Sequence, residues 1–189
     1  MTEQAVIGLF KKYNALLSGH FKLSSGLHSG NYLQCALVLE NPRVARRLGK
    51  AIAERFKDEG ITAVAGPAIG GIVIAHEVAA ALNVKCIFGE REDGAMKLRR
   101  GFFVEPDDKV VIVEDVITTG GSLKELAKVI SDSGAKVAGA ASIIDRSEKK
   151  IDFGVRQESL AKLDVKTFDP AACPLCRSGA PITKPGSRK

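Results

Sequence analysis

Residues 109–115 read KVVIVED, four β-branched apolar residues in a row that end on two acids. A half-exposed strand alternates apolar with polar residues, so an unbroken run of this kind needs cover on both faces. Helical patterns flank it in sequence. NPRVARRLGKAIAERFKDEG (41–60) offers Asn41 as N-cap, Pro42 at the first helical position, and Val44, Leu48, Ile52 and Phe56 at a spacing of four, with Gly60 at the end. ITAVAG (61–66) predicts a short buried strand, IVIAHEVAAALN (72–83) an apolar helix, and VKCIFGE (84–90) a second strand. After the third strand, SLKELAKVISDSG (122–134) reads as a helix and AKVAGAASIID (135–145) as a fourth strand. Strands separated by helices form a parallel sheet covered on both faces, with ligand sites at the carboxyl ends of the strands. The expected class is therefore α/β, a mainly parallel central sheet flanked by helices.

Two regions stand outside this alternation. Residues 18–40 include SGHFKLSSGLHSGNYLQC, rich in Ser and Gly, and read as a small flap or hood. From about 147 the pattern is lost, and 180–189 end in a Pro- and Lys-rich tail that is expected to be mobile. With 189 residues, 1–189 is one expected domain, with 41–146 as its α/β core. No apolar run approaches the roughly 20 residues of a membrane span. The first segment, MTEQAVIGLFKKYNALL, carries an early acid and periodic interruptions, and reads as an amphipathic helix rather than a targeting signal. A cytoplasmic location is expected.

The net charge of +6 gathers in KLRR (97–100) and KPGSRK (184–189), not in one block. Aromatic residues are 5% and Trp is absent, so a stacking platform for nucleic acid is not expected, whereas a basic excess suits small anionic substrates. Of the four cysteines, Cys35, Cys86, Cys173 and Cys176, the last two form a lone C-x-x-C without the second pair of a zinc ribbon. Reduced thiols near a C-terminal turn are the plainer reading. A zinc site completed by His20, His28 or another subunit is the alternative. His76 lies on an apolar helix and reads as a core or interface residue.

Glu114 and Asp115 fall at the carboxyl end of the third strand, and TTGGS then turns into a helix. Successive backbone N–H groups in such a turn, backed by a helix N-terminus, bind a phosphate monoester. Gly120 and Gly121 permit close approach, while Thr118, Thr119 and Ser122 add hydroxyls. Two carboxylates would repel a phosphate in contact with them, so they fit ribose hydroxyls or a bound Mg²⁺. Neither a Walker loop nor a G-x-G-x-x-G is present.

The run from the apolar strand through two acids to T-T-G-G-S resembles the 5-phosphoribosyl 1-pyrophosphate (PRPP) motif of type I phosphoribosyltransferases. Further segments resemble the orotate phosphoribosyltransferases, a resemblance that covers most of the chain. These are FKLSSGLHSGNYLQ (21–34), AGPAIGG (65–71), IIDRSE (143–148), and CPLC with KPGSR near the C-terminus. The resemblance implies that Glu114 and Asp115 meet the ribose hydroxyls, and that Val116, Ile117, Thr118, Thr119, Gly120, Gly121 and Ser122 complete the PRPP site. Thr118 and Arg146 would also face orotate, with Tyr32 and Leu33 as an apolar pair beside the base. Ile69 and Gly70 match pyrophosphate-loop contacts. Arg91 matches the first base of a mobile catalytic loop, and Lys97 a later one, nearest the leaving group. Ser24, Gly70 and Glu92 stand where members commonly carry lysine; Ser24 keeps a place in the base segment, and Arg99 and Arg100 supply charge in the loop.

The implied reaction joins orotate and PRPP to give orotidine 5′-monophosphate and pyrophosphate, with Mg²⁺ carried mainly by PRPP and pyrophosphate. Lys97, Arg91 and Asp115 are the expected catalytic residues. The loop 90–101 is the expected lid, shared between the subunits of a homodimer, with no nucleic-acid or membrane partner. Two alternatives remain at this level: a phosphoribosyltransferase for another base, and a PRPP-sensing regulator without catalysis.

Overall fold

The computed structural model describes residues 1–23 and 25–185. The contact expected at Ser24 and the end of the tail, 186–189, lie outside the described residues. Helix α1 (Glu3–Lys12) opens the chain, capped by Thr2, whose Oγ1 accepts from the Ala5 N–H at 3.3 Å. Strands β1 (Leu16–Lys22) and β2 (His28–Leu33) form the expected hood, followed by the short α2 (Ala36–Leu39). Helix α3 (Pro42–Ala53) then starts as read, with Asn41 Oδ1 accepting from the Arg43 and Val44 N–H groups. It stops short of Gly60. Its last turn tightens to i→i−3 bonds, which carry Phe56 against Gly139, where a Cβ would stand 2.5 Å from the ring.

The core sheet follows from β3 (Ala63–Pro67), α4 (Gly70–Leu82), β4 (Lys85–Glu92), β5 (Ala95–Leu98), β6 (Lys109–Ile117), α5 (Gly121–Asp132), β7 (Lys136–Asp145) and β8 (Arg156–Lys162). The six strands lie in the order β5-β4-β3-β6-β7-β8, parallel except for β5. The apolar run 110–113 sets β6 in the middle of this sheet. Val111 and Val113 enter one core with Leu48, Ile52 and Ile74, whereas Val110 and Ile112 enter the other with Leu123, Leu126 and Ile130. Both faces of β6 are thus buried, and its carboxyl end, where the acids stand, is the first point that opens.

Three boundaries differ from the sequence reading. The core extends beyond 41–146: Val6 and Phe10 of α1, and Leu160 and Ala161 of β8, are buried in it. The hood extends beyond 18–40, because β9 (Thr167–Phe168) and β10 (Ile182–Thr183) flank β1 and β2 in the order β10-β1-β2-β9. The expectation of a mobile 180–189 is corrected at its start, since Ile182 and Thr183 pair in parallel with His20 and Phe21. Backbone hydrogen bonding holds strands of two residues that carry no readable period. Between β9 and β10, a 3-10 turn (Pro170–Ala172) and α6 (Pro174–Arg177) carry the C-x-x-C. Among the described residues no helix is long and apolar enough to cross a membrane.

Candidate active site

The segments that follow β6 and β7 meet the hood around a cavity of about 650 Å³. Of the residues singled out in the sequence, Tyr32, Thr118, Thr119 and Arg146 line it. Segment 114–122 has the expected local form: β6 ends at Ile117, Gly120 adopts a left-handed φ of 73° as N-cap of α5, and the helix starts at Gly121. Gly120 is required twice over, because a Cβ there would also stand 2.9 Å from the Phe153 ring. The Gly121 N–H donates to Thr119 Oγ1 at 3.4 Å, and Thr118 and Thr119 are exposed to the cavity.

Behind the turn stand the two acids. Burial pushes the Glu114 carboxyl up to about 8, and the neighbouring Asp115 adds to the rise. Burial also raises Asp115, against the Val116 N–H that donates to its Oδ1 at 2.8 Å. Gly70, at the start of α4, lies directly on this carboxylate: a Cβ would stand 2.8 Å from Asp115 Oδ1. A side chain at 70 has no room in this arrangement, so glycine fits here rather than lysine. The loop before it passes through a cis Ala68–Ile69 peptide bond, and Ile69 is 85% exposed.

Arg146 follows β7, its N–H held by the Ile117 carbonyl at 2.8 Å. The guanidinium is half-buried, its Nε buried without a hydrogen-bond partner among the described residues. The acids flanking it are engaged elsewhere. Asp145 accepts from the Ser147 N–H and from Gln157, and Glu148 accepts from Thr167. An unpaired buried cation in a cavity is costly unless an anion completes it.

The remaining expectations divide. Leu33 and Ile117 are buried in the two cores, 9% and 0% exposed, and their side chains do not reach the cavity; Ile117 acts through its carbonyl on Arg146. Val116 is partly buried against the core, and Ser122 is half-buried in the first turn of α5. Arg91, Lys97, Arg99 and Arg100 sit on the β4–β5 hairpin, which turns through Asp93 and Gly94, both left-handed, as a two-residue hairpin demands. None of the four lines the cavity. Lys97 pairs with Glu92 at 2.8 Å, Arg99 with the same Glu92 at 3.0 Å, Arg100 with Glu90 at 3.0 Å, and Arg91 with Glu125 of α5 at 2.8 Å. Lys97 first, and then Arg99, holds Glu92 below the ordinary carboxylate range.

Lys149, Ile151, Val165 and Thr167 also line the cavity and were missed. They belong to an aperiodic stretch, where only the basic pair after RSE offered a signal.

A family model described as "Phosphoribosyl transferase domain" matches residues 36–154, a span that includes the strand end, the paired acids, the hydroxyl–glycine turn and Arg146. An orotate phosphoribosyltransferase of Carboxydothermus hydrogenoformans is 54% identical over 183 residues, 96% of each chain. One from Pelotomaculum thermopropionicum is 50% identical over 189 residues, all of both chains. The crystal structure of orotate phosphoribosyltransferase from Aeropyrum pernix superposes with a TM-score of 0.69 at 28% identity, covering 84% of this chain and 93% of that one. The chain belongs to the orotate phosphoribosyltransferase family.

Proposed function

We propose that the chain transfers the 5-phosphoribosyl group of PRPP to orotate, giving orotidine 5′-monophosphate and pyrophosphate for pyrimidine nucleotide synthesis in the cytoplasm. The observation that carries this reading is Arg146, whose Nε has no hydrogen-bond partner among the described residues and which shares one cavity with Thr118 and Thr119. A planar anion rich in acceptors satisfies its donor fork, and a neutral base does so less well.

The site residues divide the work. The 118–122 turn and the N-terminus of α5 hold the 5′-phosphate; Glu114 and Asp115 take the ribose hydroxyls. Tyr32, held against Phe21 with ring centroids 5.8 Å apart, covers the base opposite Arg146. The bond from the anomeric carbon to pyrophosphate breaks as the orotate ring nitrogen attacks from the other face, with inversion. Positive charge grows on the sugar, as in glycoside cleavage, beside two carboxylates that stabilise it. PRPP brings its own leaving group, so the protein needs no nucleophile of its own. The oxygen-only donor set of Glu114 and Asp115, with no basic side chain bonded to either, fits Mg²⁺ carried by the substrate, and the ion neutralises pyrophosphate charge when bound. The 90–101 hairpin supplies the basic groups but lines none of its own chain's cavity, which supports a homodimer in which each lid closes on the neighbouring site.

The test follows orotate absorbance with PRPP and Mg²⁺, beside uracil, hypoxanthine and a chelator control. Mg²⁺-dependent consumption of orotate alone is expected. Turnover of another base in its place, or PRPP binding without turnover, would overturn the assignment.

Glu114 adds a pH signature. Its carboxyl titrates at about 8, so it is neutral below that pH and ionised above it. The ionised form is the one that accepts from ribose hydroxyls, so PRPP binding releases a proton and strengthens as pH rises through this value. The ionised fraction grows about tenfold between pH 7 and pH 9, and the Kd for PRPP is expected to fall by about that factor. Isothermal titration across this range checks it. In Glu114→Gln the dependence flattens, and an equally flat wild type would remove Glu114 from the binding step.

A further inference from the structure

Away from the active site, His20 and His28 of the hood meet Cys173 and Cys176 of the C-terminal segment, with one ligand atom from each within 4.8 Å of all the others. His20 Nε2 lies 3.0 Å from His28 Nδ1, 3.6 Å from Cys173 Sγ and 3.7 Å from Cys176 Sγ, and Cys176 Sγ lies 3.3 Å from His28 Nδ1. A tetrahedron with zinc–nitrogen bonds of roughly 2.0–2.1 Å and zinc–sulfur bonds of roughly 2.3 Å has edges of about 3.3–3.8 Å. Three of these four distances fall in that range and the fourth is 0.3 Å short of it, so small side-chain adjustments would admit the ion.

Hydrogen bonding alone does not account for the cluster. His20 Nδ1 lies 2.9 Å from the Ala180 carbonyl, which can only accept, so Nδ1 carries the proton and Nε2 presents its lone pair to the cluster. That single lone pair faces His28 Nδ1 and two thiols, and can accept from only one of them. His20, His28 and Cys173 are buried, at 4%, 6% and 1% exposure, where unmet polar groups are costly. A cation satisfies all four at once, and the carbonyl on Nδ1 is the outer partner that a metal-bound imidazole uses.

The local fold supports the same reading. An irregularity in the β1–β2 register between Ser18 and Phe21 falls at His20, whose ring meets that of His28 edge to face with centroids 4.9 Å apart. Pro174 starts the single turn of α6, which brings Cys176 back beside Cys173. We propose that His20, His28, Cys173 and Cys176 form a structural zinc site that fastens the C-terminal segment to the hood. Two sulfurs and two imidazole nitrogens in a closed tetrahedron select zinc over magnesium or calcium. The site joins positions about 150 residues apart in sequence, so its loss frees a long loop. It also lies on the strands that carry Tyr32 to the base, so its loss is felt there.

The test is elemental analysis of full-length protein purified without immobilised metal, with far-UV circular dichroism on every variant. About one zinc per chain is expected, retained in Cys86→Ser and lost in Cys176→Ser and Cys173→Ser. The thermal midpoint is expected to drop by about 5 °C or more on metal loss. As a second measurement, chelated wild type is titrated with cobalt(II), and a tetrahedral spectrum with a thiolate charge-transfer band is expected. A metal-free wild type that also gives no such spectrum would overturn the proposal. So would zinc retained in both cysteine variants, or a Cys173–Cys176 disulfide in the native protein.

Discussion

Replacing Lys97 with alanine is expected to lower kcat by about 10²–10³-fold while changing the Kd for PRPP by only a few-fold, as removal of one charge-stabilising group does elsewhere. The separation of the two effects is the informative part. In the open chain Lys97 is committed to Glu92 on its own hairpin, at 2.8 Å, with the two side chains 47% and 37% exposed. A pair so exposed is screened by solvent and weak, so it yields readily to a departing pyrophosphate, which carries several negative charges. Charge on the leaving group is greatest as the glycosidic bond breaks, so the lysine acts on the transition state more than on bound PRPP. Glu92→Ala, which frees Lys97 and Arg99 together, is expected to leave kcat within a few-fold of wild type. Steady-state kinetics with a direct PRPP titration separates the cases. Unchanged turnover in Lys97→Ala would pass the role to Arg91 or Arg99.

How much of this was legible depended on whether a signal was local. The buried run 110–113, the N-cap at Asn41 and the TTGGS turn are decided within a few residues, and each stands where the sequence put it. The Asp93-Gly94 turn, inside the segment read only as a lid, is decided as locally. The hood's outer strands were not legible, because β9 and β10 have two residues each and exist only through β2 and β1. The burial of Leu33 and Ile117 was equally hidden: strand alternation gives which residues share a face, but not which face the cavity takes. The glycine at 70 shows a further limit. Its loss of a lysine looked like a gap in charge until Asp115 was seen to fill the space. The cysteine pair looked incomplete for a related reason, since its two histidine neighbours lie about 150 residues earlier and only the fold brings them near.

Arg146 is the residue whose loss should separate orotate from other bases. Arg146→Ala is expected to raise the KM for orotate by about 10–100-fold, the loss of one charge-assisted contact of about 1.5–3 kcal/mol, with a small effect on PRPP binding. Arg146→Lys keeps the charge but not the fork, and is expected to fall between alanine and wild type. The protein's stability should hold or rise, because the guanidinium Nε is buried without a partner and its removal relieves that cost. A stability loss with unchanged KM would instead make Arg146 a structural residue. The same variant tests the shared lid. Lys97 and Arg146 belong to one chain's hairpin and one chain's cavity, and the first does not line the second. With orotate held well below the raised KM, where both variants are nearly silent, and if each lid serves the neighbouring site, mixing Lys97→Ala with Arg146→Ala yields hybrid dimers. One of their two sites then combines an intact Arg146 with an intact Lys97, and activity returns towards a quarter of the wild-type level at equal mixing, since half the dimers are hybrids with one sound site each. If each lid serves its own cavity, every site in the mixture keeps one defect, and no activity returns.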